Sequence, residues 1–455
     1  MFDHKPTKIL TANKINILAI WLVIGSILFY SASKYPLQET FKTVYSHIPG
    51  WIEPDDDVGR DIFDLINSRG FEYESHFVET VDGYILQLVR LVNPFTKYNQ
   101  TRYRPVILSH GVECTGSEFL INNPGYLNSD GTYLEWDEND NLINGSEKIT
   151  NTLGFTLCSY GYDVWLVNFR GTIYSLNHTK LDINDPEYWR FSMDEMVNID
   201  LPLMIDYILA TTTSDTLTYI GHSQSNILML ALMSENDHYQ QLVKPFIALS
   251  PTWHLTNVRS NLVFFNLFEP YLKLSPGPLV FHDMKTVRSV LSTLCSNRMI
   301  RWICYQIYDM SVGYQPSDIR LDRFPVHIYN IPSGASNDNA IHHMQTWRTG
   351  RVSHYDHGLE KNLLLYNQSE PPLYNVSRIN SAHMAFFQAS HDRISSIEGN
   401  IQLKQQLSTP LLEDYVINRT DFDHMSFVWS KHAGILVNEK ILQLLSLYEN
   451  DNQTC

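Results

Sequence analysis

The chain has 455 residues, 44% of them hydrophobic and 12% aromatic, enough to bury a core in one large domain with an insertion or in two domains, which excludes global disorder. A formal net charge of −16 with no basic run excludes an electrostatic nucleic-acid binder, and we read the acidity as solubility. Five cysteines (Cys114, Cys158, Cys295, Cys304, Cys455) without a CxxC pair exclude a disulfide scaffold and argue against a zinc ribbon.

Residues 1–14 form a basic tail with Lys5, Lys8 and Lys14, followed by the uncharged run Ile15–Tyr30. Residues 15–33 therefore read as a signal peptide ending at Ser31-Ala32-Ser33, or as an uncleaved anchor with its basic end in the cytosol. The run is slightly shorter than the about 20 apolar residues of a bilayer span, which favours the signal peptide. Cleavage would give a secreted or lysosomal protein, and retention a single-pass membrane protein with its folded part lumenal or extracellular. Sequons at Asn99, Asn144, Asn177, Asn367, Asn375, Asn418 and Asn452 agree with either secretory route.

Residues 34–56 read as a connector, and folded structure is expected from Asp57. Asp82-Gly83 predicts a hairpin between Tyr73–Thr80 and Tyr84–Val92. Short apolar runs follow at Pro105–Ser109, Tyr162–Val167, Thr218–His222, Phe246–Ser250, Met384–Ala389 and Tyr415–Ile417. Stretches of helical spacing lie between them, such as Met196, Ile199, Leu203 and Tyr207. Buried short strands alternating with helices predict an α/β fold with a mostly parallel sheet covered on both faces. We divide it into a first core part, 57–252, an inserted, mainly helical and aromatic-rich cap or lid, 253–375, and a second core part, 376–455. Residues 123–149, rich in Asn, Asp and Gly, read as an exposed loop or hairpin. Cys295 and Cys304, close in a polar and aromatic stretch, are expected to form a disulfide.

Gly221-His222-Ser223-Gln224-Ser225 lies between an apolar strand and the helix-forming run ILMLALM. That context suits a nucleophile elbow, with Ser223 in a strained turn and small residues two places to either side. Gly221 meets the requirement. Ser225 stands where a glycine would give more room, so we expect a tolerated but strained elbow. His222, beside the serine, is expected to point away from its hydroxyl.

Nine segments occur in one order: VETVDGYILQLVRL, PVILSHGV, GYDVWLVNFRG, YWRFSMDEMVNIDLPLMIDYI, YIGHSQSN, ALSPTW, YNQSEPPLYNV, SHDRIS and FDHMSFVWS. Together they resemble the acid lipases of the α/β-hydrolase superfamily, a family that includes gastric and lysosomal lipases, from Asp57 to Leu447. The resemblance implies a triad of Ser223 as nucleophile, Asp392 as acid and His424 as base, with backbone N–H groups of Val112 and Gln224 forming an oxyanion hole. Asp392 and His424, just after the late strands, fit that reading by position. Asp421 and Asp423 read as solvated loop residues.

The implied reaction is hydrolysis of a lipid ester through an acyl-enzyme, with no metal or organic cofactor. His342-His343 and His354 with His357 read as ordinary cap or surface histidines, not metal ligands. The cap segment Leu262–Leu274 suits either cap core or contact with a lipid surface. The chain departs from the family at Ser225, at Val167, at Ser426 and in its longer 123–149 segment. These departures keep two rivals open: a non-catalytic lipid-binding glycoprotein, and a membrane-anchored esterase of non-lipid esters.

Overall fold

The computed structural model describes residues 55–450 apart from 97–103, 140, 145–148, 256–257, 261–265, 275, 280–283 and 314. The tail 1–14, the segment 15–33, most of the connector 34–56, and Asn99, Asn452 and Cys455 lie outside the described residues. Among the described residues, no helix is long and apolar enough to cross a membrane.

Strands β1 (Glu72–Glu79) and β2 (Tyr84–Val92) form the expected antiparallel hairpin. Gly83 turns it at φ +103°, where a side chain would also strike Thr179 and His178. Then come β3 (Pro105–Ser109), β4 (Gly125–Leu127), β5 (Tyr133–Trp136), β6 (Leu142–Asn144), β7 (Asp163–Val167), β8 (Asn177–His178) and β9 (Leu217–His222). The last three are β10 (Val243–Leu249), β11 (Met384–Ala389) and β12 (Glu413–Ile417). The main sheet runs β1-β2-β7-β3-β9-β10-β11-β12, with β8 also pairing with β2. All neighbours from β7 to β12 are parallel. The chain steps from β3 outward to β7 and then back across β3 to β9, so the strand order reverses at β3. In open α/β sheets such a reversal leaves a crevice at the carboxyl ends of the flanking strands.

Alternate residues of each central strand feed two different cores. Val106, Leu108, Val164, Leu166, Ile220 and Phe387 enter one. Ile107, Trp165, Val167, Tyr219, Phe246 and Phe386 enter the other. This period of two is what a sheet buried on both faces requires. Helices α1 (Ile62–Ser68) and α2 (Leu153–Ser159) cover the first face, and α3 (Leu201–Thr212) and α4 (Gln224–Glu235) the second. Gln224 to Ser234 of α4 are all buried, as a helix apolar on every side must be.

The structure refines two readings. The helical spacing of the stripe Met196, Ile199, Leu203, Tyr207 falls on helix, as expected. Met196 is buried, but the stripe then passes to Leu201, Met204, Ile205 and Ile208. The cause is a π-helical turn at Met196–Asp200, which inserts an extra residue and shifts the phase of α3. Residues 123–149, expected as an exposed loop or hairpin, take the hairpin form but turn side chains inward. They carry the antiparallel sheet β4-β5-β6, with Tyr133, Leu134 and Glu135 buried. The Glu135 carboxylate accepts the N–H groups of Asn151 and Thr152, at 2.7 and 2.8 Å, and the Asn123 amide at 3.2 Å. A polar composition concealed an inward-facing anchor.

Between β10 and β11 the chain forms α5 (Glu269–Leu274), α6 (Met284–Ser296), α7 (Arg298–Val312), α8 (Phe324–Asn330), α9 (Asn337–Thr349) and α10 (Leu359–Tyr366). A Cys295–Cys304 disulfide ties α6 to α7, with a Cα–Cα distance of 6.0 Å. Helices α11 (Ile397–Gln406) and α12 (Glu439–Asn450) follow β11 and β12. The side chains of Asn177, Asn367, Asn375 and Asn418 are exposed, and Asn144 ends β6.

Candidate active site

Strand β9 delivers His222 and Ser223 to the crevice beside β3. Ser223 turns into α4 at φ +57° and ψ −119°, a conformation a non-glycine residue holds only when its surroundings enforce it. The surroundings do so. Its N–H donates to Leu249 O at 3.2 Å, and Thr252 Oγ1 donates to its carbonyl at 3.1 Å. Gly221 is needed for this close approach. A Cβ there would lie 2.6 Å from Asn226 Oδ1 and 2.9 Å from Ser225 Oγ and from Tyr219 Cε1.

Ser225 is fully buried, and its single hydroxyl proton is shared between the carbonyls of Ser109 at 2.8 Å and His222 at 2.9 Å. Ser225 keeps ordinary helical backbone and has polar partners, unlike the strained fit expected from the sequence.

The three residues singled out from the sequence meet here. His424 Nε2 lies 2.8 Å from Ser223 Oγ. On its other side, His424 Nδ1 faces Asp392 Oδ2 at 3.1 Å and Oδ1 at 3.2 Å. Asp392 follows β11 and is buried. Its Oδ1 accepts the N–H groups of Ile394 and Ser395, both at 2.8 Å. Burial on its own raises the Asp392 carboxyl, yet the adjoining His424 and these hydrogen bonds hold it below its usual value.

Val112, three residues past the end of β3, and Gln224, the first residue of α4, are those named for the oxyanion hole. Among the described residues, no loop carbonyl or side chain accepts the N–H of either. The preceding Gly111 is held by Glu118, whose Oε1 accepts its N–H at 3.1 Å. Glu118 Oε2 also lies 3.5 Å from His222 Nδ1. Burial works against charge on His222, but Glu118 outweighs it and raises the imidazole above its usual value. His222 Nε2 donates to the carbonyl of His424 at 3.1 Å, so it buttresses the His424 backbone and, among the described residues, makes no bond to the Ser223 hydroxyl.

Several residues prove to have partners that the sequence did not reveal. Asp423 is not a solvated loop residue. It is buried, pairs with Arg393 and accepts the N–H of His424 at 2.8 Å. Arg393 also pairs with Asp309 of α7 at 2.5 Å. Ser426 accepts the N–H of Asp423 at 3.0 Å, closing the turn that carries His424. His342 and His343 of α9 are buried rather than on the surface. His343 Nε2 lies 2.5 Å from Gln224 Oε1, which also accepts from Asn339 at 3.1 Å. Burial holds the His343 imidazole down at about 3, so it donates as a neutral ring. His354 is half-buried against Asp194 and Glu235. Ser250, at φ +53° just beyond β10, bonds both Asp392 and His424. Apart from the Asp423–His424 and Ser426–Asp423 bonds within one turn, these contacts join residues far apart in the sequence, so no local motif could have exposed them.

Residues 62–123 match the family model described as a partial alpha/beta-hydrolase lipase region. The chain is 28% identical to the gastric triacylglycerol lipase of Bos taurus over 401 residues, 87% of this chain and 94% of that one. It is 30% identical to lipase member N of Mus musculus over 391 residues, 85% of this chain and 90% of that one. It is 27% identical to the human lysosomal acid lipase/cholesteryl ester hydrolase over 399 residues, 87% and 93% of the two chains. With its elbow serine, its reversed strand order at β3 and likeness along nearly all of its folded length, the chain belongs to the acid lipase family of the α/β hydrolases and is an ester-bond hydrolase.

Proposed function

We propose that this hydrolase cleaves lipid carboxylic esters, triacylglycerols or sterol esters, through a Ser223–Asp392–His424 triad. The observation that carries the reading is the continuous contact from the strained Ser223 through His424 to buried Asp392. His424 takes the Ser223 proton as the hydroxyl attacks the ester carbonyl, and Asp392 orients and stabilises the imidazolium. The N–H groups of Val112 and Gln224 receive the charge that develops on the carbonyl oxygen. The leaving alcohol takes the proton from His424, and a water activated by the same imidazole releases the fatty acid. None of these steps calls for a metal or an organic cofactor.

Residues 253–375 serve as the cap in this reading. Its α9 grips the side chain of Gln224 and so presses on the elbow. Leu267, Tyr271 and Leu274, at and beside α5, are exposed, which supports contact with a lipid surface over burial in a cap core. The gastric and lysosomal relatives, the exposed sequons and the disulfide support a secretory or lysosomal destination.

The test is purified wild type and Ser223→Ala on long-chain and short-chain esters. Wild type hydrolyses them. The variant retains its fold and loses roughly four or more orders of magnitude in kcat. Retained turnover in Ser223→Ala would remove the triad reading.

A further inference from the structure

Ser250 is fully buried between the acid and the base, in the segment that leaves β10 for the cap. Its backbone sits at φ +53°, held by its N–H to Phe387 O at 2.8 Å. A non-glycine residue in that region is uncommon and costs energy, so its side chain has reason to be there.

Its hydroxyl is 2.5 Å from Asp392 Oδ2 and 2.7 Å from His424 Nδ1. The direct distances from His424 Nδ1 to the two Asp392 oxygens are longer, at 3.1 and 3.2 Å. The nearest acceptor to the base is therefore the serine and not the carboxylate.

A hydroxyl has one proton to give and lone pairs with which to accept. An ionised carboxylate can only accept, so the Ser250 proton goes to Asp392. The Ser250 oxygen can then only accept from His424, which requires the proton of the neutral imidazole to sit on Nδ1. Nε2 is left bare toward Ser223, the tautomer a general base needs.

We propose that Ser250 is a positioning residue of the triad, fixing the tautomer and tilt of His424 by accepting its Nδ1–H while donating to Asp392. The inference rests on the triad reading above. It adds no step to the reaction: as the imidazolium forms, the same oxygen keeps the Nδ1–H and the same hydroxyl keeps the carboxylate aligned.

The test compares wild type with Ser250→Ala and Ser250→Gly. Both variants should lose roughly 10- to 100-fold in kcat with KM unchanged, because the base is misplaced and binding is not. Glycine accepts φ +53° without strain, so Ser250→Gly should keep or raise the thermal midpoint while losing kcat. In proton NMR, the far-downfield Nδ1–H signal, assigned by its absence in His424→Ala, should move upfield in Ser250→Ala. Wild-type kcat in both variants, or a fall in kcat that only tracks a falling midpoint, would overturn the proposal. Ser223→Ala separates the two readings. If it is inactive while the Ser250 variants turn over normally, the triad stands and only this inference fails; if it is active, the triad itself fails.

Discussion

The hydroxyl of Ser225 lies 2.8 Å from the carbonyl oxygen of Ser109, joining the first turn of α4 to the last residue of β3. This bond links the strand that ends at the proposed nucleophile to the strand that leads toward the proposed oxyanion-hole residue Val112. We expect Ser225→Gly to lose about 1–2 kcal/mol of stability, from the missing bond and the greater backbone freedom of glycine. The catalytic rate should change little, since the serine bonds carbonyls rather than the reacting groups. Urea unfolding beside steady-state kinetics reads both. A sharp loss of rate at unchanged stability would assign the hydroxyl a part in the chemistry.

Gly221 offers the opposite case. An alanine Cβ would meet Asn226, Ser225 and Tyr219 at 2.6–2.9 Å, and the Asn226 amide is itself committed to Leu249 O at 2.7 Å. Gly221→Ala should cost about 1–3 kcal/mol by overpacking and lower kcat more than it raises KM, because Ser223 moves with the strand. A variant with wild-type kcat and midpoint would show that the elbow can yield.

Acid stability should depend on Asp194. It accepts Tyr355 N and Tyr374 Oη, both at 2.8 Å, and faces His354 at 3.6 Å. Burial alone raises this carboxyl, but the hydrogen bond and charge of His354, with His342, lower it to about 2. A depressed carboxyl contributes stability above its ordinary value that is lost as pH falls through the folded value. Asp194 thus contributes about 2 kcal/mol that disappears between roughly pH 4 and pH 2. His354 has the reverse sign. Burial opposes its charge, but Asp194 and Glu235 raise it, so its share is full below its ordinary value and fades as pH rises through the folded one. The stability gap between wild type and Asp194→Asn should be widest in mildly acidic buffer and close toward pH 2. A gap constant across that range would contradict the assignment.

Glu113 should act against stability at neutral pH. It follows Val112, which is proposed for the oxyanion hole, and its Oε2 accepts Gly334 N at 3.2 Å. Among the described residues, its Oε1 is sealed from solvent without a hydrogen-bond partner. Burial raises this carboxyl to about 7, with the Gly334 N–H only partly opposing. A raised carboxyl leaves the fold unpenalised below its ordinary value and destabilises it progressively as pH rises through the folded one. Glu113→Gln should therefore match wild type near pH 4 and exceed it in thermal midpoint above pH 7. Equal midpoints at pH 8 would show that the carboxylate is solvated there.

The three residues proposed as the triad were singled out in the sequence by the acid-lipase resemblance and by a local pattern at each. Ser223 lies between an apolar strand and a helix-forming run, and Asp392 and His424 follow late strands. The central strands were legible for the same reason, since a run buried on both faces must be apolar at nearly every position. Ser250, Glu118, His343 and Asp423 carried no such pattern. Each is an ordinary polar residue until the parallel sheet brings the carboxyl ends of β3, β9, β10 and β11 to one edge. The buried face of α3 was not legible because a single π turn, invisible in composition, rotates every later side chain. The role of Glu135 was not legible because a carboxylate that faces inward to backbone N–H groups has the same letter as one that faces water. Sequence alone determined which residues could do the chemistry. Tertiary structure decided which polar groups hold them, because hydrogen bonds between loops far apart in the chain depend on strand order, and no local spacing encodes that.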